Sequence, residues 1–281
     1  MYKTLSLSVL FWSAMILTAC ENEEGPHQQT TINNNMNNGY EQNDHGVNNQ
    51  EEVIDANGHD EEDTSNNKEK EKEEVESLYK LDNSEVRPID DADEQVVLLT
   101  IDDAPDHYSV EMAGNLKELD AGAIFFVNGH FLESEKGRED LQHIYDLGFE
   151  IGNHTMTHQD LTTLSEDEQY EEIVQLNDLI EEVLGERPRF FRAPFGKNTD
   201  YSKQLVKEEN MQWMNWTYGY DFVEEYMEEE ALTDVMIDAP ELRAGANLLM
   251  HDREFTKDAL DNIVIGLREK GYEIVAPETI E

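Results

Sequence analysis

From Val96 onward the chain alternates short apolar runs with amphipathic stretches, and that alternation restricts the fold more than any other feature. VVLLTI (96–101) is followed by a helix-length stretch over 108–119, and AIFFV (123–127) by another over 138–147. FEI (149–151) precedes a long helical pattern over 165–184, and RFF (189–191) precedes one over 201–208. The run 211–216 leads to a helix near 228–237, NLLM ends a strand at 246–250, a helix is expected over 256–270, and YEIV (272–275) closes the series. A strand that returns parallel to its predecessor needs a long crossover, which a helix supplies. Six or seven such units suit a parallel barrel or a doubly wound sheet. Ser165 followed by Glu168 is a capping-box signature, and Ile173, Leu176, Ile180 and Leu184 recur at helical spacing behind it.

The chain before this region has a different character. Residues 1–20 read as a signal peptide: Lys3 is followed by the apolar LSLSVLFWSAMIL, which is shorter than the ~20 residues a membrane span needs. Leu17-Thr18-Ala19-Cys20 is similar to a bacterial lipoprotein signal, which implies that Cys20 carries the lipid and anchors the protein outside the cytoplasm, facing the wall. Cys20 is the only cysteine, so no internal disulfide can form. Residues 21–93, rich in Asn, Gln, Glu and Asp, are expected to be a disordered acidic tether, with a short charged helix over 68–79 as its only local structure. His27, His45 and His59 are expected to be solvated there. The folded domain is then 94–281. A formal net charge of −45, from 65 acidic and 20 basic residues, excludes a nucleic-acid partner, because phosphate neutralisation needs Lys and Arg. A monomer is expected.

In β/α barrels functional side chains emerge just past the C-terminal ends of the strands. Past VVLLTI stand Asp102 and Asp103; past FEIGN stand His154 and His158; past RFF stands Arg192; past NLLM stands His251. If the HTMTH turn is helical, its two imidazoles share a face. With one carboxylate, from Asp102 or Asp103, they make a His₂Asp set of the kind that holds a catalytic divalent ion. The other carboxylate is free to take a proton from water, kept ionised by Arg192, and His251 is a candidate proton donor to a departing amine. His107, His130 and His143 are left as structural or surface residues.

At these positions the sequence resembles the polysaccharide deacetylase family, also called carbohydrate esterase family four or the NodB homology domain. The family's TFDDGP is matched by Thr100-Ile101-Asp102-Asp103-Ala104-Pro105, H-S/T-x-x-H by His154 to His158, RxPxG by Arg192 to Gly196, and LxH by Leu249-Met250-His251. The resemblance implies a distorted (β/α)₇ barrel. It makes Asp102 the general base, Asp103, His154 and His158 the metal ligands, Arg192 the partner of Asp102, and His251 the general acid. It implies Zn²⁺ as the metal, with Co²⁺, Ni²⁺ or Mn²⁺ as alternatives, and the backbone N–H of Phe195 as an oxyanion donor. Leu249 belongs to the expected substrate-binding set. The fourth family motif is matched only weakly, by Trp216 to Phe222: Trp216 would be an aromatic wall for a sugar ring, Asp221 would pair with His251, and Gly219 replaces an Asp. Ala104 in place of Gly requires a backbone without positive φ there. Trp213 and Trp216 as plain core aromatics is the competing reading.

The implied activity is removal of N-acetyl groups from GlcNAc- or MurNAc-containing polysaccharide, peptidoglycan or chitin-like. The alternatives are a catalytically inactive wall-binding lipoprotein of the same fold and a hydrolase of non-sugar amides.

Overall fold

The computed structural model describes residues 75–281. The expected signal peptide, Cys20 and its lipid, the three early histidines and the expected tether up to residue 74 lie outside the described residues.

Seven parallel strands form one curled sheet: β3 (Val96–Ala104), β4 (Ile124–Val127), β5 (Glu150–Asn153), β6 (Phe190–Phe191), β7 (Gln212–Trp213), β8 (Ala246–His251) and β9 (Glu273–Ile274). Their order is β7-β6-β5-β4-β3-β8, with β9 on β3. Val97 pairs with Ala246 of β8 and with Ile274 of β9, so those two strands flank the base of β3 on opposite sides. The sheet curls far enough for the chain just past β7 to meet β8. There Tyr218 bridges Leu248, and Leu249 N–H donates to the Tyr218 carbonyl at 2.8 Å. This is the expected distorted (β/α)₇ barrel.

The crossover helices are α1 (Ser109–Glu118), α2 (Glu135–Asp146), α3 (Glu166–Leu184), α4 (Asp200–Glu208), α5 (Glu229–Asp238) and α6 (Glu254–Glu269). In α3 the capping box forms as its sequence indicates: the Ser165 hydroxyl accepts from Glu168 N–H, and the Glu168 carboxylate takes Ser165 N–H at 2.7 Å. Ile173, Leu176 and Ile180 are buried, and burying each such side chain stabilises by about 1.5–3 kcal/mol.

Strand side chains alternate between two environments, as a period of two requires. Val97, Leu99 and Ile101 of β3, Phe125 and Val127 of β4, and Leu248 and Met250 of β8 pack outward against the helices. Val96, Leu98, Ile124, Phe126, Phe190 and Met214 pack against one another inside. The inward series grows polar toward the C-terminal mouth: Val96, Leu98, Thr100 and Asp102 on β3, and Phe190 followed by Arg192 at β6.

The floor of the barrel corrects the expected domain boundary. Residues 79–88 form a hairpin, β1 (Tyr79–Asp82) and β2 (Glu85–Pro88), turned by Asn83 and Ser84, both at positive φ. Tyr79 and Val86 are buried against Val96, Leu98 and Phe190, so the hairpin caps apolar side chains that would otherwise face water. Main-chain bonds fix it: Val86 N–H to Gly245 O at 2.9 Å and Leu78 N–H to Thr279 O at 2.9 Å. A Cβ at Gly245, whose φ is 80°, would meet the Val86 carbonyl oxygen at 2.2 Å. Residues 79–88, expected to belong to the tether, are thus part of the folded unit, and Tyr79 opens a strand where the end of a helix was expected. No helix among the described residues is long and apolar enough to cross a membrane.

Candidate active site

The mouth is built from the ends of β3, β5, β6 and β8. In a regular strand Asp102 and Asp103 would point to opposite faces. Here β3 carries an extra residue: Ile101 to Ala104 runs against Phe125 to Val127, three steps against two. Asp103 occupies the bulge with φ of 63°. The bulge re-aims Asp103 so that both carboxylates serve the mouth. Ala104 keeps a negative φ, as its side chain demands, and the left-handed residue falls on Asp103, a type that tolerates it better than most.

Asp103, His154 and His158 converge. Asp103 Oδ1 lies 3.8 Å from His154 Nε2 and 3.5 Å from His158 Nε2. Among the described residues these three form the one cluster of His, Cys, Asp or Glu ligand atoms close enough to share an ion, all within 4.8 Å of one another. Those separations exceed hydrogen-bond length and approach the ~3.4 Å edge of a tetrahedron whose ligands sit ~2.1 Å from its centre. His154 Nδ1 donates to the Arg192 carbonyl at 2.7 Å, which fixes the tautomer and leaves the Nε2 lone pair facing the cluster. Burial is the main influence lowering the His154 pKa below its ordinary value, which favours the neutral, ligating form. The residues therefore fit a divalent ion. His130, on the turn after β4, joins Asp103 and His158 in lining a cavity of about 500 Å³. It lies three residues beyond Val127, so the strand-end rule applied at β4 would have selected it.

The HTMTH segment is not helical, which corrects the expected geometry. Thr155 and His158 have φ of 71° and 58°. The segment bonds to its neighbours: Met156 N–H donates to the Glu172 carbonyl at 2.9 Å, and Thr157 N–H to the Glu172 carboxylate at 2.8 Å. Asn128 Nδ2 holds the His154 carbonyl at 2.5 Å. The imidazoles still meet, with ring centroids 4.9 Å apart, but a loop clamped by α3 brings them together.

Asp102 is buried and ion-paired. Arg192, with no exposed surface, donates from Nη1 to Asp102 Oδ1 at 2.7 Å and to Thr100 Oγ1 at 2.8 Å. Its Nη2 donates to the Asn215 carbonyl at 2.8 Å, and its plane lies over Phe126, 4.4 Å from the centroid. Burial is the largest influence on Asp102 and pushes its pKa up, but Arg192, His154 and His251 together hold it below the ordinary carboxylate value. Asp102 Oδ2 stands 3.5 Å from His154 Nε2.

His251 is the direct cross-strand partner of Asp102 in the β3–β8 register. Its Nδ1 faces Asp221 Oδ1 at 2.7 Å, and its own N–H donates to Asp221 Oδ2 at 2.6 Å. Thr256 Oγ1 adds a third bond to the fully buried Asp221 at 3.0 Å. Burial pushes the His251 pKa down; Asp221, with the charges of Asp102 and Asp103, outweighs it and raises the value above that of free histidine. The neighbouring Asp252, absent from the expected set, clamps the β3–α1 loop by accepting from the N–H groups of Asp106, His107, Tyr108 and Ser109, at 2.6–3.1 Å.

The remaining expected residues divide. Phe195 is 59% exposed at the rim, its ring 4.9 Å from that of His158, on a backbone with φ of 58°. Phe222, also outside the expected set, is a second exposed aromatic, 6.0 Å from the His251 ring. Trp216 is half-buried behind Arg192, its ring 5.8 Å from the guanidinium carbon. Trp213 is at the surface under Lys203, so it is not a core aromatic. Leu249 is only 2% exposed, inward on β8 two residues before His251, so it offers a substrate little surface. A Cβ at Gly219 would meet the Leu249 carbonyl oxygen at 2.5 Å, so this backbone has no room for the Asp of the family pattern.

The barrel thus brings a His₂Asp cluster, a buried Asp–Arg pair and a carboxylate-held histidine together at its C-terminal mouth. The chain belongs to the polysaccharide deacetylase family, whose model matches residues 89–214. It is similar to the Bacillus subtilis peptidoglycan-N-acetylmuramic acid deacetylase PdaC, 30% identical over 193 residues that cover 68% of this chain and 40% of that protein. Against the solved structure of PdaC the TM-score is 0.57 with 31% identity, over 65% of this chain and 87% of that one. A peptidoglycan-N-acetylglucosamine deacetylase of Bacillus cereus is 28% identical over 64% of this chain and 66% of its own length. A solved structure described as a CE4 family pseudoenzyme from Bacillus anthracis matches with TM-score 0.59 and 29% identity, over 64% of this chain and 63% of that one. The chain thus spans less than two thirds of the length of both curated relatives.

Proposed function

We propose that this protein is a metal-dependent N-deacetylase of acetylated cell-wall polysaccharide, with peptidoglycan as its substrate class. The observation that carries the reading is the β3–β8 register, in which Asp102 and His251 are neighbours beside the Asp103, His154 and His158 cluster. A base and an acid flanking one electrophilic centre is what amide hydrolysis needs.

Asp103, His154 and His158 would hold a divalent cation, Zn²⁺ by the family resemblance, and the chemistry it would supply is Lewis-acid polarisation of the acetamide carbonyl and acidification of the attacking water. Asp102 accepts the water proton at Oδ2, since Arg192 occupies Oδ1 and keeps the carboxylate ionised. The water oxygen bonds to the acetyl carbon, with the Phe195 backbone N–H offered to the developing oxyanion. The C–N bond then breaks, and His251 Nε2 delivers a proton to the departing amine, while Asp221 fixes Nδ1 as the other protonated nitrogen. Acetate and a free amino sugar leave. Phe195, Phe222 and Trp216 are the aromatic surfaces available to sugar rings. Cleavage of a signal at Cys20, lipid attachment there and a tether up to the hairpin would hold the barrel outside the cell membrane, against the wall.

The test is acetate release from acetylated chitooligosaccharides and from peptidoglycan fragments, with and without a chelator. Release that the chelator abolishes and added Zn²⁺ restores is the expected result. The second reading, an inactive wall-binding protein, is favoured by the anthracis pseudoenzyme of this fold. Glycan binding without acetate release would establish it.

A further inference from the structure

Among the described residues every arginine but one is engaged. Arg87, Arg138, Arg187, Arg189 and Arg243 pair with carboxylates on the surface, Arg192 pairs inside, and Arg268 donates to the carbonyls of Leu119 and Asp120. Arg253 makes no side-chain hydrogen bond and no ion pair, although the full chain carries 65 acidic residues against 20 basic ones. It is half-buried and lines the cavity of about 500 Å³ shared by Asp103, His158, His130 and Asp106.

Its place in the chain is also unusual. Arg253 is the N-cap of α6 and makes no capping bond. Ser, Thr, Asn or Asp at that position would satisfy a free helix N–H, and a cation there opposes the helix dipole. A residue that breaks a local rule at the mouth of a site marks a place where function outweighs stability. The carboxylates nearest to it are already committed. Asp252 accepts from the β3–α1 loop, Asp106 is paired with His107 at 2.8 Å, and Asp103 belongs to the ligand cluster. The guanidinium is therefore uncommitted, in a residue that lines the same cavity as Asp103 and His158.

We propose that Arg253 binds a carboxylate carried by the substrate itself, so that the site selects an N-acetylated sugar with an acidic ether beside the acetamide over a neutral one. An acetamide on one ring carbon and a lactyl-type ether on the next are close neighbours. A cation in the same cavity as the metal ligands therefore reaches the second group while the first reacts. A guanidinium suits this task because it can grip a carboxylate with two parallel bonds. The inference rests on the deacetylase reading but is tested separately from it.

The experiment compares full-length wild type with Arg253→Ala and Arg253→Lys on two oligosaccharides of equal length, one neutral and one bearing lactyl carboxylates. For Arg253→Ala the ratio of kcat/KM, charged over neutral, is expected to fall about tenfold (about 1.4 kcal/mol), mostly through KM, and Arg253→Lys is expected to recover part of it. An equal loss on both substrates means a structural role and overturns the proposal, as does an unchanged ratio. Relief of acetate inhibition in Arg253→Ala with an unchanged ratio would assign the guanidinium to the product and also overturn it. If wild type hydrolyses neither oligosaccharide, the deacetylase reading fails, and calorimetric binding of the same pair decides. A preference for the charged glycan that disappears in Arg253→Ala upholds the inference, and equal binding refutes it.

Discussion

Replacing Asp221 by Asn removes one negative charge beside His251 while keeping the shape of the side chain. Asp221 Oδ1 lies 2.7 Å from His251 Nδ1, and the carboxylate has no exposed surface, so little solvent screens the pair. An opposite charge at such range moves a pKa by about 1–3 pH units. His251 sits above the ordinary histidine value because Asp221, with more distant help from Asp102 and Asp103, outweighs burial. Without that charge burial is opposed only by Asp102 and Asp103, and the value falls. The sign follows: an acid must be protonated, so its raised pKa keeps wild type active to higher pH. In Asp221→Asn the alkaline limb of the kcat/KM profile moves to lower pH by at least about one unit. Above the new limb the protonated fraction of His251 falls about tenfold for every further pH unit. A cation at Asp103, His154 and His158 lowers His251 in both proteins alike, so the difference survives it. The new amide also faces two donors, His251 N–H and Thr256 Oγ1, where Asp221 presented an acceptor. One mispaired buried group costs about 1–3 kcal/mol of stability, which a thermal melt of the variant measures independently. Steady-state acetate release across the pH range is the assay. An alkaline limb that stays in place while the plateau falls would show that His251 is not the titrating acid.

Asp102→Asn is expected to reduce turnover by at least about a hundredfold, the scale of a lost general base, while metal analysis finds the ion still bound; with Arg192 left unpaired, stability falls by about 3–5 kcal/mol. His158→Ala is expected to lose most of the bound metal, read by metal analysis of purified protein, because two donors hold an ion far less well than three. Glu172→Ala removes the carboxylate that holds Thr157 and leaves the HTMTH loop on α3 only by the main-chain bond from Met156, and a drop of about 10–100-fold in metal affinity is expected, as for other groups that orient ligands. Gly219→Ala is expected to destabilise the barrel by about 1–3 kcal/mol in a denaturant titration, since its Cβ would meet the Leu249 carbonyl oxygen at 2.5 Å.

Most of the architecture is legible in the sequence because periodicity reports burial. The strands β3, β4 and β8 and the helix α3 fall where apolar runs and the Ser165 capping box put them. The hairpin over 79–88 is hidden by composition. Its two buried apolar side chains, Tyr79 and Val86, stand among charged neighbours, and their burial depends on a barrel floor built from residues far along the chain. The Asn83-Ser84 turn between two alternating tetrads is the available signal, and the acidic surroundings mask it. The His-x-x-x-His spacing suggests a helical turn because spacing alone cannot distinguish that from a loop. What decides is Glu172 in α3, which takes up the loop's donors.

One rule, that side chains past strand ends converge, finds the site residues, yet the rule is incomplete without the bulge. Alternation places Asp102, Arg192 and His251 on the inner face, with Asp102 and His251 in direct register and the apolar side chains of Leu98, Phe126 and Phe190 turned the same way. It would also place Asp103 outside, among the side chains that pack on the helices. The extra residue between Ile101 and Ala104, with Asp103 turned to positive φ, converts two adjacent carboxylates into two groups at one mouth, one held by Arg192 and the other facing two imidazoles. That division follows from the backbone and does not depend on the chemistry assigned to it. The two aspartates are identical in type and adjacent in sequence, and they differ only in what the fold sets beside them. Burial and a guanidinium make Asp102 a fixed, ionised group with one oxygen clear of Arg192, while Asp103 stays partly exposed and faces the imidazoles of His154 and His158. Exchanging their places would require removing the bulge, and then Asp103 would have to enter the apolar layer between the sheet and the helices.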